Sequence, residues 1–255
     1  MGIRIALDAM GGDRGPTVTV GGAVAAAREF NLSVVLVGNE EEIGPALQQH
    51  ATRGLSISIR HAPEAIGMQE SPSVALRKKK QSSIRVGLEL VKNGEADAFI
   101  SAGNTGAVMA TALVTLGHLP GVERPAIALM IPTLKGQSIL LDVGANADCK
   151  ARHLLQFAIM GNVYARQIMR KSSPTVGLLS IGEEESKGNE LTREAFRGLE
   201  EEDSLNFIGN VEGREVLTGA ADVIVCDGFT GNIALKIIEG AAVFFTRLLM
   251  EELGK

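Results

Sequence analysis

Short apolar runs alternate along the chain with longer, mixed stretches of helical length. Val-, Ile- and Leu-rich runs predict strands over residues 3–8, 33–37, 55–60, 98–101, 126–131, 138–142, 175–180, 206–208 and 222–226. Helix-length segments lie between most of them, at 17–30, 40–52, 73–93, 105–117, 152–171, 190–202 and from 231 to the C-terminus. Such alternation builds right-handed crossovers, so the expected fold class is α/β: a three-layer α/β/α arrangement on a mostly parallel sheet. One connection departs from this. Only Pro132-Thr133-Leu134-Lys135-Gly136-Gln137 separates two runs, and a parallel crossover needs about a dozen residues, so that pair is expected to be antiparallel. With no internal repeat and no polar linker, residues 1–255 read as a single α/β domain with at most a lobe boundary near residue 120.

Four of the apolar runs stop at an Asp or Asn set among glycines, with a helical segment following. These junctions are Asp8-Ala9-Met10-Gly11-Gly12-Asp13, Ser101-Ala102-Gly103-Asn104-Thr105-Gly106, Asp142-Val143-Gly144-Ala145-Asn146 and Asp227-Gly228-Phe229-Thr230-Gly231-Asn232. Glycine lets backbone N–H groups crowd one point, and a helix N-terminus adds partial positive charge, so each junction is a candidate anion seat. Ligands of open α/β sheets bind outside the carboxyl ends of strands, where all four fall. Turn geometry alone is the plainer reading of any one of them.

Composition narrows the function. Aromatic residues make up 4% with no Trp, glycines number 30, and the formal net charge is −5. That balance disfavours a general nucleic-acid binder, which needs a basic surface. Two cysteines, Cys149 and Cys226, are too few for a disulfide scaffold and lack metal-ligand spacing. The histidines at 50, 61, 118 and 153 are scattered outside the junctions and read as structural, so no metal and no cofactor is expected. No apolar segment reaches transmembrane length without a charge, which favours a cytoplasmic protein. Neither a Walker loop nor a Gly-x-Gly-x-x-Gly fingerprint is present, which disfavours nucleotides.

Three further features carry candidate chemistry. Lys187 and Asn189 lie in Ser186-Lys187-Gly188-Asn189-Glu190, where a lysine can neutralise a phosphate oxygen; the alternative is a solvated charged loop. Asp227 and Asn232 flank the last glycine pair, where an amide can polarise a carbonyl and a carboxylate can orient a partner; cap and turn roles suit them equally. Arg77, Lys78, Lys79 and Lys80 form the one dense basic run, suited to steering an acidic partner or to facing solvent. The final helix is too apolar for ordinary exposure, yet carries Lys236, Glu239 and Arg247. It suits a core or subunit interface better than a bilayer surface.

Taken together, the four junction motifs and Lys187-Gly188-Asn189-Glu190-Leu191 resemble the bacterial phosphate acyltransferase family. The resemblance runs over the whole chain and includes Arg77 to Ser83, Gln156 to Asn162 and Phe207 to Glu212. It implies reversible conversion of acyl-[acyl carrier protein] and inorganic phosphate to acyl phosphate for phospholipid synthesis. It also implies a homodimer, a fold like isocitrate dehydrogenases and phosphotransacetylases, and loose membrane contact. Members of the family continue past residue 255 through further helices, so this chain is expected to be a shortened form, lacking a membrane-contacting hairpin and part of the dimer interface.

On this reading phosphate attacks a thioester, and the site must hold it and stabilise the carbonyl oxyanion. Amides of Gly103 to Gly106 (with Asn104 and Thr105) and of Gly144 to Asn146, with Lys187, are expected to hold phosphate. Asn189 and Asn232 are expected to face the carbonyl, with Asp227 orienting Lys187 or a water. Asp8, Gly11, Gly12, Asp13, Asp142, Gly228 and Thr230 complete the expected substrate walls, and Arg77 to Lys80 meet the carrier protein. The rival readings are a phosphotransacetylase-like enzyme using acyl-coenzyme A, and a non-catalytic phosphate-binding module.

Overall fold

The computed structural model describes residues 2–254. Two compact units divide it, residues 1–119 and 120–255. In the first, the chain runs β1 (Arg4–Asp8), α1 (Pro16–Phe30), β2 (Ser33–Gly38), α2 (Glu40–Gln48), β3 (Ile57–His61), α3 (Pro72–Lys78), α4 (Ser83–Lys92), β4 (Ala98–Ile100) and α5 (Thr105–Leu116). Its sheet is wholly parallel in the order β3-β2-β1-β4. Successive residues of a strand face opposite sides, and β2 shows the consequence. Leu36 packs with Val20, Ala23 and Ala27 of α1, whereas Val37 packs with Leu90 of α4. Helices therefore cover both faces.

The second unit runs β5 (Ala128–Thr133), β6 (Gly136–Leu141), α6 (Ala151–Gln167), β7 (Thr175–Ser180), α7 (Glu190–Glu200), β8 (Asn206–Glu212), β9 (Val223–Val225) and α8 (Gly228–Leu253). Its order is β5-β6-β9-β7-β8, parallel except for β5 against β6. That pair closes through Leu134-Lys135 with Thr133 opposite Gly136, so the short connection makes the antiparallel hairpin its length requires. Ile139, Leu141, Val223 and Val225 face Leu154, Phe157 and Leu199 of α6 and α7. Leu140 and Ile224 face Ala234 and Ile238 of α8 on the other side. Each fully buried Leu or Phe here contributes about 1.5–3 kcal/mol relative to exposure.

Two expectations are corrected. The strands form two sheets rather than one, so the four glycine junctions divide two and two. The segment 73–93 is two helices, because Lys79 leaves helical geometry at φ −102°, ψ 72° and the Ser82 hydroxyl caps α4 by accepting from Arg85 N at 3.3 Å. The outer half of α8 leaves Phe244, Phe245, Leu248, Leu249 and Met250 exposed, so it does not join the core of its own unit. Among the described residues, no helix is long and apolar enough to cross a membrane.

Candidate active site

In the first sheet, β1 lies between β2 and β4: the chain leaves β1 for β2 on one side, and the connection from β3 brings β4 in on the other. The crevice at their carboxyl ends holds Asp8 and the Ser101–Gly106 loop. Asp8 is buried; one carboxylate oxygen accepts from Met10 N at 3.1 Å and the other from the Ser101 hydroxyl at 2.7 Å. Ser101 Oγ in turn accepts from Gly103 N at 3.0 Å, so that amide is occupied within the loop rather than offered to a phosphate. Asn104 caps α5 through Ala107 N at 3.0 Å, and its amide donates to the carbonyls of Met68 and Glu70 at 3.0 and 2.9 Å. It is a clamp on a neighbouring loop, with Thr105 and Gly106 at the open helix start. Gly11 is required by close approach, since a Cβ there would lie 2.8 Å from Gly103 N. Gly12 adopts φ +85° and Asp13 is exposed.

Asp142 organises the corresponding turn in the second unit. Its Oδ1 accepts from the amides of Ile127, Gly144 and Ala145 at 3.0, 3.1 and 2.9 Å, and its Oδ2 from Asn146 N and Nδ2 at 2.8 and 2.9 Å. The Leu141–Asp142 peptide is cis. Fully buried and engaged by five donors, this carboxylate wraps the loop around itself. The expected phosphate seat at Gly144 to Asn146 is thereby corrected: those amides point at Asp142, and Asn146 also donates to Pro125 O at 2.7 Å. The turn then packs under α8. Gly228 N donates to Asn146 O at 2.8 Å, and a Cβ on Gly228 would lie 2.8 Å from Asn146 N.

β6, β9 and β7 are adjacent and parallel, so their carboxyl ends bring Asp142, Asp227 and Ser180 to one edge. There the N-termini of α7 and α8 open into one cavity of about 340 Å³. Its lining includes Ser180, Gly188, Asn189, Thr192, Asp227 and Thr230. Asn189 caps α7 by accepting from Thr192 N at 2.9 Å. Asp227 caps α8, accepting from Thr230 N at 2.9 Å and Thr230 Oγ1 at 2.7 Å. A second cavity, on the side of Asp148, Cys149 and Phe229, is walled by the same Asn189, Asp227 and Thr230. Two helix dipoles thus aim positive ends at one small space, the arrangement that favours an anion. Ser180 was missed from the candidate residues. Its hydroxyl is buried without a hydrogen-bond partner among the described residues, and its signal was a polar residue closing an apolar strand, as at Asp8.

Other expected residues stand further from this space. Lys187 is exposed, with its stem against Gly182 and no ion-pair partner among the described residues; it does not line the cavity. Asn232 is exposed beside the Gly144 turn, where a Cβ on Gly144 would lie 3.7 Å from Asn232 Nδ2. In the basic run, Lys79 turns inward to pair with Glu70 and donate to Ala65 O at 2.5 Å, leaving Arg77, Lys78 and Lys80 exposed. The Lys79 ammonium and the Gly67 amide hold the Glu70 carboxyl below its ordinary value. Burial pushes the Cys149 thiol up to about 11, with Asp142 and Asp227 adding to it, and pushes Cys226 up further. Neither is a ready nucleophile. His153 is buried against Glu123, its Nε2 at 3.2 Å from Oε2, a structural role. Among the described residues no cluster could hold a metal.

The same architecture occurs in solved structures. A phosphotransacetylase from Streptococcus pyogenes superposes with a TM-score of 0.71 at 19% identity, covering 95% of this chain and 82% of that one. The EutD phosphotransacetylase from Staphylococcus aureus gives 0.68 at 21%, covering 94% and 82%. In sequence, the phosphate acyltransferase of Geotalea daltonii is 53% identical over 251 residues, 98% of this chain and 72% of that protein. That of Pelobacter propionicus is 54% identical over 253 residues, 99% and 73%. The family model described as "Fatty acid synthesis protein" matches residues 3–255. The chain belongs to this fatty acid synthesis protein family, alongside the phosphate acyltransferases it matches.

Proposed function

We propose that this chain is an enzyme that reversibly transfers a fatty acyl group from acyl-[acyl carrier protein] to inorganic phosphate. One observation supports the reading most: the N-termini of α7 and α8 converge on the cavity walled by Asn189, Asp227 and Thr230. Phosphate seats against first-turn amides of these helices, with the Ser180 and Thr230 hydroxyls as neighbours and Lys187 swinging in from the adjoining loop. A phosphate oxygen then attacks the thioester carbonyl carbon. The C–O bond forms, the carbonyl oxygen becomes an oxyanion faced by the Asn189 amide, and its collapse breaks the C–S bond. The thiolate of the carrier leaves and takes a proton from water. No acyl-enzyme is required, which agrees with two thiols held protonated.

Arg77, Lys78 and Lys80 are proposed to meet the acidic carrier protein. The apolar outer end of α8 is proposed as the contact between two copies in a cytoplasmic homodimer, with peripheral membrane contact tested by vesicle sedimentation. The deciding assay follows phosphate-dependent loss of acyl-carrier thioester. Turnover with acyl-[acyl carrier protein] well above that with acyl-coenzyme A is expected. The reverse preference would make the donor coenzyme A, and stabilisation by phosphate without turnover with either would leave a binding module.

A further inference from the structure

A larger cavity of about 680 Å³ runs along the inner side of α8, bounded by Pro132, Leu179, Val216 and Leu217. Its volume falls within the range of ligand sites, about 300–1,000 Å³. The α8 side of this trough is lined by Ala234, Ile237, Ile238, Ala241, Ala242 and Phe245. The one charged side chain lining it is Arg214, whose guanidinium pairs with Glu212 at 2.5 Å, so no lone charge faces the space. This trough continues the candidate active site. Leu179 lines both cavities, and Ala234 stands one helical turn beyond Thr230, which lines the smaller one.

We propose that this trough holds the hydrocarbon chain of the acyl substrate and sets its length preference, a proposal that rests on the acyl-transfer reading above. A linear apolar chain attached to a polar reacting carbonyl is what the pair of cavities accommodates. The carbonyl sits by Asn189 and Thr230, and the tail runs past Ala234 toward Ala241 and Phe245. Each methylene buried there strengthens binding about fourfold. A short acyl group leaves the far end empty and forgoes that gain.

The test plugs the trough with Ala241→Phe, and with Ala242→Leu as a smaller plug should the first variant fail to fold. Turnover is compared for 16-carbon and 4-carbon acyl-[acyl carrier protein], and binding is read separately with a fluorescent 12-carbon fatty acid. The wild type is expected to favour the longer donor more than tenfold and to bind the probe. The plugged variant should lose at least tenfold in kcat/KM for the 16-carbon donor, keep the 4-carbon rate within twofold, and bind the probe at least tenfold more weakly. Equal loss at both lengths, or no loss, with an active wild type would overturn the trough while leaving acyl transfer intact. Absence of turnover at every length would overturn acyl transfer, and the proposal with it. Exclusion of the probe at concentrations where light scattering reports a dimer would make the trough an interface between copies and overturn the proposal.

Discussion

Gly231 sits so close to Asp142 that a Cβ on it would overlap the Asp142 carbonyl oxygen and lie 2.8 Å from Cys226 Sγ. The first turn of α8 can rest on the Asp142 loop only because residue 231 has no side chain. In a helix Ala is favoured over Gly by about 1 kcal/mol, but here overpacking wins. Gly231→Ala is expected to destabilise by about 2 kcal/mol net, a fall in Tm of roughly 4–8 °C. Gly240, in the same helix, meets nothing within 4 Å. Gly240→Ala should therefore stabilise by about 0.5–1 kcal/mol, and thermal melts of the two variants should move in opposite directions.

The two aspartates of this edge are expected to differ on removal of charge. Every acceptor direction of Asp142 faces an N–H, so an amide at either oxygen position sets donor against donor. Asp142→Asn is expected to cost about 3 kcal/mol in urea unfolding, from lost charge-assisted bonds and unsatisfied buried amides. Asp227 is a helix cap with a hydroxyl on its second oxygen, and Thr230 Oγ1 can accept as well as donate. Asn caps as well as Asp, so Asp227→Asn should cost under about 1 kcal/mol. A larger activity loss than that change in stability would mark the Asp227 charge as part of the chemistry.

Asp222 ties β7 to β9 through Thr175. Burial pushes its carboxyl up, but the Thr175 amide, the Lys171 ammonium and the Thr175 hydroxyl outweigh that and hold it below its ordinary value of 3.8. A depressed folded value means the stabilisation is full above the unfolded pKa and is lost as pH falls through the folded one. The stability difference between wild type and Asp222→Asn should therefore be constant from pH 7 to about 5 and shrink below about pH 4. Thermal melts across pH 3–7 read this directly. A difference that grows on acidification would reverse the assignment.

Thiol labelling gives a second pH signature. With its pKa raised to about 11, Cys149 is almost wholly protonated at pH 8. Alkylation by iodoacetamide at that pH should be more than about tenfold slower than for a free cysteine of pKa 8.5, even after allowing for the greater nucleophilicity of a more basic thiolate. Its rate should climb through pH 10. Cys226, buried behind the Asp142 carbonyl, should label only after denaturation. Fast labelling of the native protein at pH 7 would mark an activated thiol and revive covalent catalysis.

Alternation of apolar runs with helical stretches was enough to read both sheets' strands, the antiparallel hairpin at Leu134 and the strand-end position of every glycine junction. The two-sheet division was not legible, because β1 to β4 and β5 to β9 have the same local pattern and only long-range pairing separates them. Within the junctions, residue type showed where polar groups gather but not which way they point. Asp142, Asn146 and Gly103 look like an anion seat in sequence, yet their hydrogen bonds close on one another. Asn104 and Asn189 likewise read as ligand groups, and the structure adds that each caps a helix through its oxygen, a second role that residue type alone does not separate from the first. Ser180 escaped notice for the opposite reason. Its place at the end of an apolar strand marks it as a polar terminus, as at Asp8, but does not show that its buried hydroxyl lacks a partner among the described residues.

Asn189 separates capping from catalysis, because its oxygen and its nitrogen have different tasks. Asn189 Oδ1 holds Thr192 N, while the Nδ2 group is the one proposed to face the acyl carbonyl. Asn189→Asp keeps an equally good cap and exchanges the donor for a negative oxygen beside the phosphate seat, so stability should stay within about 0.5 kcal/mol of wild type. Losing an oxyanion donor lowers kcat by about 10²–10³-fold, and the added charge should raise KM for phosphate as well. Asn189→Ala removes both tasks and should lower stability by about 1 kcal/mol in addition. Steady-state kinetics against phosphate, run beside urea unfolding, distinguishes the two. If Asn189→Asp retains wild-type kcat, Asn189 is a cap alone and the carbonyl donor must be sought elsewhere.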